Sequence, residues 1–152
     1  YDFSAVDEQD RKCPSEPNCK HSDYYMFGKP VYAVKEGKVV GALGSEKDNV
    51  VGGYEAEANY VTIDHGAYTS FYAHLKQGSL QVRKGQQVRE GQLLGEVGNS
   101  GMSVEPHLHF CLRDKNDVAS IPYRFKSARV WKQGNSRQSA DFYKEDEVVV
   151  FE

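Results

Sequence analysis

Apolar and polar residues alternate in short runs along most of this chain, the pattern of strands with one buried face. Val31-Tyr32-Ala33-Val34, Gly37 to Leu43, Tyr60 to His65, Thr69 to Leu75, Gln92 to Val97, His107 to Leu112 and Glu147 to Phe151 are such runs, rich in β-branched and aromatic residues. Turn signals separate them at Lys35-Glu36-Gly37, His65-Gly66, Lys84-Gly85, Glu90-Gly91 and Gly98-Asn99-Ser100-Gly101. No segment sustains an apolar period of 3.6, so the pattern predicts an all-β fold with little helix. Arg83-Lys84-Gly85-Gln86 and Arg89-Glu90-Gly91-Gln92 form a near repeat that spaces Val82, Val88 and Leu94 evenly. This rhythm suits tight turns in a small closed or folded-over sheet, with glycine supplying positive φ.

Two stretches depart from the alternation. Residues 4–27 are polar and end in the aromatic cluster Tyr24-Tyr25-Met26-Phe27, and residues 123–146 are polar around Trp131. Both read as excursions from one β core spanning 1–152, the first as an inserted loop, and ordered loops of this kind wall binding grooves. Cys13 and Cys19 flank a Pro-rich turn and are expected to form a small disulfide loop, which favours an oxidising compartment. Cys111 lies in an apolar strand pattern and is expected to be a small buried hydrophobe.

Composition then narrows the function classes. The chain has 152 residues, a net charge of -3 and 12% aromatic residues. A domain of this size buries a core of its own. Nineteen Lys plus Arg against twenty-two Asp plus Glu leaves no positive excess for phosphates, which argues against nucleic acid. No apolar run approaches the roughly 20 residues that span a bilayer. The chain opens on Tyr1-Asp2-Phe3 without a basic start or a cleavage signal, and is read as a mature or trimmed form.

The candidate chemistry lies in the histidines. On a strand carrying Pro106-His107-Leu108-His109-Phe110, His107 and His109 project together while Leu108 and Phe110 enter the apolar face. In Phe71-Tyr72-Ala73-His74-Leu75 the same alternation places His74 on the face of Tyr72, opposite Phe71 and Ala73. His65, at a strand end beside Gly66, is read as structural.

The ordered set of motifs resembles the lysostaphin-type (LytM-like) zinc metallopeptidases. It runs from Gly28-Lys29-Pro30-Val31 through Val61-Thr62-Ile63-Asp64-His65-Gly66 and Tyr72-Ala73-His74-Leu75. It continues through the near repeat and Gly98-Asn99-Ser100-Gly101 to Pro106-His107-Leu108-His109-Phe110. The resemblance implies an antiparallel sheet groove of the LytM-like, duplicated-hybrid-motif barrel-sandwich type, holding one Zn2+. It also implies an endopeptidase that hydrolyses peptide bonds of bacterial peptidoglycan, secreted or periplasmic, with a regulatory or inhibitory protein as a further expected partner. By the family's pattern His109 binds zinc, and His74 and His107 flank the catalytic water and the scissile carbonyl. Zinc with an open position acidifies water, and a neighbouring histidine accepts the proton.

The family's remaining ligands, a histidine and an aspartate in an H-x-x-x-D motif, are not intact here. Asp23 has the spacing, but Cys19 stands four residues before it and His21 only two. Asp2, between Tyr1 and Phe3, has the apolar neighbours of such a ligand, and its histidine would then fall before residue 1. Asp2 is preferred, because Cys19 binds zinc only as a free thiolate. The tyrosines Tyr24, Tyr25, Tyr54 and Tyr68, with Trp131, are candidate groove walls. The incomplete motif leaves a second reading, a catalytically inactive LytM-like binding or regulatory domain.

Overall fold

The computed structural model describes residues 1–116 and 120–122, together with the backbone of three strands beyond them. The alternating segments form β1 (Asp2–Phe3), β2 (Pro30–Tyr32), β3 (Gly37–Leu43), β4 (Tyr60–Asp64), β5 (Tyr68–Ala73), β6 (Gln87–Val88), β7 (Leu93–Glu96), β8 (Leu108–Asp114) and β9 (Ser120–Ile121). The three further strands are β10 (Ala128–Lys132), β11 (Asn135–Ser139) and β12 (Val148–Val150). Helix among the described residues is limited to a 3-10 turn at His21–Asp23, so the chain is nearly all β as its pattern predicts. No helix among the described residues is long and apolar enough to cross a membrane.

All strand pairs are antiparallel. The main sheet has the order β1-β8-β5-β4-β3-β6, with β9 also on β8, while β2 pairs β7 and β11-β10-β12 form a three-stranded sheet. Alternation decides which side chains enter the core. Val61 and Ile63 of β4, Tyr72 of β5, Phe110 and Leu112 of β8, Phe3 of β1 and Val39 of β3 are all buried. They form one cluster with Val31, Leu75, Val82, Val88, Leu94 and Val97. The Tyr72 hydroxyl accepts the Val34 N–H at 3.0 Å, giving this buried phenol a polar partner.

The near repeat is two copies of one turn. Gln86 N–H donates to Arg83 O and Gln92 N–H to Arg89 O, both at 3.1 Å. Each Gln side chain in turn accepts from the N–H of its Arg. Gly85 (φ 90°) and Gly91 (φ 74°) supply the left-handed residue. The evenly spaced Val82, Val88 and Leu94 all enter the core.

Residues 4–27 are anchored by a second, smaller cluster. Cys13 and Cys19 are joined by a disulfide, and both pack with Tyr24 against Phe27 and Val51. Lys12 forms an ion pair with Glu105, tying the segment to the loop that precedes β8. The polar stretch 123–146 contains β10 and β11, which the sequence reading takes as loop. β11 is wholly polar, and the apolar residues of β10, Ala128, Val130 and Trp131, make a run of only five residues inside a polar stretch. The rest of that stretch, and the side chain of Trp131, lie outside the described residues. The two-residue strands β1, β6 and β9 are too short for a period to register.

Replacing Leu75, fully buried in the main cluster, by Ala is expected to lower stability by about 2–5 kcal/mol. Urea unfolding checks this through a lower midpoint at unchanged m-value.

Candidate active site

Strand β8 sorts its residues by parity. Phe110 and Leu112 enter the core, so His109, Cys111 and Arg113 face the other way. On either side of His109 the register places Asp2 of β1 and Ala73 of β5. Residues directly opposite one another in an antiparallel pair project on the same face. Asp2 therefore meets His109, with Oδ1 2.7 Å from Nδ1, and His107 Nε2 lies 3.7 Å from the same oxygen. The Phe71 ring packs edge-on against His109, with centroids 6.3 Å apart.

His74 reaches this face by breaking the alternation. A regular strand would keep it on the side of Tyr72, the face on which the sequence reading places it, and that side is the core. Instead β5 ends at Ala73, and His74 adopts φ 61°. This left-handed turn brings its ring to 4.6 Å from His107 and 5.9 Å from His109. A non-glycine residue in this region carries strain on the order of 1 kcal/mol, held in place by its surroundings. Those surroundings are hydrogen bonds: His74 O accepts Gly98 N–H at 2.9 Å, and Leu75 N–H donates to Asn59 O at 3.1 Å.

Backbone carbonyls fix which imidazole nitrogen carries hydrogen. His74 Nδ1 lies 2.8 Å from Ser100 O. A carbonyl only accepts, so Nδ1 donates and the Nε2 lone pair of the neutral ring is left free. His107 Nδ1 is placed the same way, 2.9 Å from Glu105 O and 3.1 Å from Ser103 Oγ.

The loop that holds both rings is itself braced by buried polar side chains. Ser103 Oγ donates to Asn99 Oδ1 at 2.8 Å, and Asn99 Nδ2 donates to Asn49 O at 3.1 Å. Ser100 Oγ donates to Leu75 O and accepts Asn59 N–H. Gly101 sits at φ 75°, where a Cβ would come within 2.7 Å of Ala58 Cα. Sequence reasoning missed Asn49, Asn59, Asn99, Ser100 and Ser103 as positioning residues. The one signal, Gly98-Asn99-Ser100-Gly101, reads only as a turn.

The charges follow the contacts. Burial holds His74 below its ordinary range, helped by the neighbouring imidazoles and opposed by the Ser100 hydrogen bond. His109 is raised by its hydrogen bond with Cys111 and then by Asp2, against the effect of burial. Burial alone would raise the Asp2 carboxyl, but its hydrogen bond with His109 and the nearby positive charges hold it below the usual range. Cys111 is thus not the buried hydrophobe expected. It is half-buried on the His109 face, where its sulfur accepts Arg113 Nε–H at 3.3 Å.

The structure brings Asp2, His74, His107 and His109 together. Asp2 and His109 offer oxygen and nitrogen donors suited to zinc. Among the described residues, no group of three or more His, Cys, Asp and Glu side chains is arranged to hold a metal. The other candidate ligands are engaged elsewhere. Cys19 is in the disulfide, His21 packs on Phe27 at 4.9 Å, and Asp23 accepts Lys20 N–H at 2.9 Å. His65 is structural, bonded to Glu36 O at 2.7 Å and Ser70 Oγ at 2.8 Å. Of the candidate wall tyrosines, Tyr24 is buried in the disulfide cluster, Tyr25 bonds Asp7, and Tyr68 packs on His65. Tyr54 stays exposed.

In metal-free protein His109 is expected to titrate above its ordinary value of about 6.5, and Asp2→Asn is expected to lower that value. Because the folded pKa is raised, the contacts of His109 with Cys111 and Asp2 stabilise the fold below pH about 6.5, and that contribution is lost as pH rises through the folded pKa. The Asp2 share is lost at the acid end, as pH falls through its depressed pKa. NMR titration of the His109 ring protons in both proteins checks the shift.

Comparison with known proteins places this geometry. Residues 22–121, which span β2 to β9 and include His74, His107 and His109, match the model of Peptidase family M23; Asp2 lies outside that span. The chain is 33% identical over 127 residues to the glycyl-glycine endopeptidase ALE-1 of Staphylococcus capitis, covering 80% of this chain and 33% of that protein. It is 37% identical over 91 residues to the peptidoglycan DD-endopeptidase ShyA of Vibrio cholerae, covering 59% of this chain and 19% of that protein. Among solved structures it is similar to a zinc containing peptidase from Vibrio cholerae, with a TM-score of 0.48 at 29% identity, covering 77% of this chain and 37% of that one. The matches span about a third of ALE-1 and about a fifth of ShyA. With the family model covering well over half of its length, the chain belongs to peptidase family M23.

Proposed function

We propose that this chain is a zinc-dependent endopeptidase that hydrolyses peptide bonds in bacterial peptidoglycan, acting outside the cytoplasm as a secreted or periplasmic protein. The observation that carries the reading is the pair His74 and His107. Each has Nδ1 engaged by a backbone carbonyl, and both rings lie beside the Asp2–His109 contact. The peptidoglycan substrate is suggested by the relative ShyA, named as a peptidoglycan DD-endopeptidase, with ALE-1 named as a glycyl-glycine endopeptidase, and the disulfide accords with an oxidising compartment.

Asp2 and His109 would hold zinc, with a further donor from outside the described residues. When bound, zinc would acidify a water molecule and polarise the carbonyl. The two other histidines supply the proton movements. A free Nε2 lone pair accepts the proton released as water oxygen bonds to the carbonyl carbon. The same imidazole returns that proton to the departing amine as the C–N bond breaks, leaving a carboxylate and an amine. The second imidazole, when protonated, donates to the developing oxyanion.

Among the described residues only Asp2 and His109 are placed as ligands, which favours one alternative, a binding or regulatory domain without catalysis. Digestion of purified peptidoglycan, with zinc and with a chelator, separates the two. The endopeptidase reading expects new muropeptides with zinc, their loss with chelator, and a rate reduced at least about 100-fold in His74→Ala and in His107→Ala. Unchanged muropeptides from zinc-loaded protein would establish the binding-domain reading.

A further inference from the structure

The segment 4–27 supplies none of the four side chains gathered at the site, yet two of its contacts end on the loop that holds His107. The first is ionic. Lys12 pairs with Glu105, 93 positions along the chain, and both side chains are partly buried. Glu105 then acts through its backbone, because Glu105 O lies 2.9 Å from His107 Nδ1 and 2.9 Å from Ser103 Oγ. One residue therefore meets the segment through its carboxylate and the imidazole through its carbonyl.

The second contact is apolar. Cys13, next to Lys12, is fully buried in the disulfide cluster on which Val51 packs. Val51 stands between two further props of the same loop. The Asn49 side chain, two residues before it, donates to the carbonyls of Gly101 and Ser103, and the Gly52 N–H donates to Val104 O at 2.7 Å. Lys12 is itself held by its backbone, its N–H donating to Glu16 Oε1 at 2.8 Å and its carbonyl accepting Tyr25 N–H at 3.0 Å. With that backbone fixed, only side-chain freedom is lost when the ammonium settles on Glu105.

His74 is held differently. Its Nδ1 meets Ser100 O, and the Ser100 hydroxyl is engaged by Leu75 O and Asn59 N–H, all outside the segment. The two imidazoles therefore share a loop but not a support.

We propose that Lys12 is a positioning residue for His107: through its pair with Glu105, the disulfide-closed segment sets where the Glu105 carbonyl stands and so keeps the His107 ring oriented with its hydrogen on Nδ1. This deepens the endopeptidase reading, in which His107 is a catalytic candidate, but its test needs no turnover.

Two measurements on the whole chain near pH 8 test it, nitrogen-15 NMR of the imidazoles and hydrogen exchange at the Gly52 amide. Lys12→Ala is expected to speed Gly52 exchange about twofold to fivefold, the effect of losing one partly exposed ion pair. In the same variant the His107 nitrogens are expected to move toward the values of a ring exchanging between tautomers, while those of His74 stay in place. Glu105→Gln keeps the carbonyl and removes the pair, so it is expected to match Lys12→Ala, and the double variant to go no further than either. Lys12→Arg keeps the charge and is expected to retain the wild-type signals. Unchanged His107 signals in Lys12→Ala, equal changes at His74 and His107, or additive effects in the double variant would overturn the inference. So would Lys12→Arg behaving as Lys12→Ala does. Cleavage of peptidoglycan by a protein whose His107 ignores Lys12 would retire this inference and keep the endopeptidase. A His107 that follows Lys12 in a protein that cleaves nothing would do the reverse.

Discussion

A strand cannot bury Phe110 and Leu112 without turning His109 and Cys111 away from the core. That two-residue constraint on β8 is where the site begins. Pairing then does the assembly. β1 on one edge brings Asp2 to His109, and β5 on the other brings Phe71 beside Cys111 and ends one residue before His74. Asp2 and His109, more than 100 residues apart in sequence, meet because they stand directly opposite each other in one antiparallel ladder. The core that fixes β8 and the face that carries the polar cluster are two sides of the same strand. A slip of one residue in register would exchange them.

His74 is the exception to regular geometry. Left in strand conformation it would point to the core. The left-handed residue at the end of β5 delivers it to the site, and the 98–105 loop holds it there. That loop uses a buried polar network in place of an apolar core. No buried side-chain nitrogen or oxygen among the described residues lacks a hydrogen-bond partner, the condition under which such a network is stiff rather than costly. Backbone carbonyls are fixed acceptors, so a loop of defined shape also defines the tautomer of each ring it holds.

Much of this was legible in the sequence, for reasons that differ by element. The long strands β3, β4, β5 and β8 were readable because each has one buried face, and the near repeat announced its paired turns through Gly85 and Gly91. The outward pair His107 and His109 followed from period alone. The reversal of His74 did not, because nothing in Tyr72-Ala73-His74-Leu75 signals a left-handed residue. Its cause is tertiary, lying in Gly98, Ser100 and Asn59. The apolar run around Cys111 suggests a buried residue, yet the alternation that turns His107 and His109 outward carries Cys111 with them. Strand β11 carries no apolar residue, and β10, with Ala128, Val130 and Trp131 in five positions, is too short and too isolated to register as a hydrophobic period.

The central claim is that both catalytic candidates present a free Nε2 because backbone carbonyls occupy their Nδ1 atoms. Nitrogen-15 NMR of the imidazoles in metal-free protein near pH 8, where ordinary histidines are neutral, tests it directly. The account predicts that His74 and His107 are both protonated at Nδ1 with unprotonated Nε2. A hydrogen resident on Nε2 of either ring would contradict it.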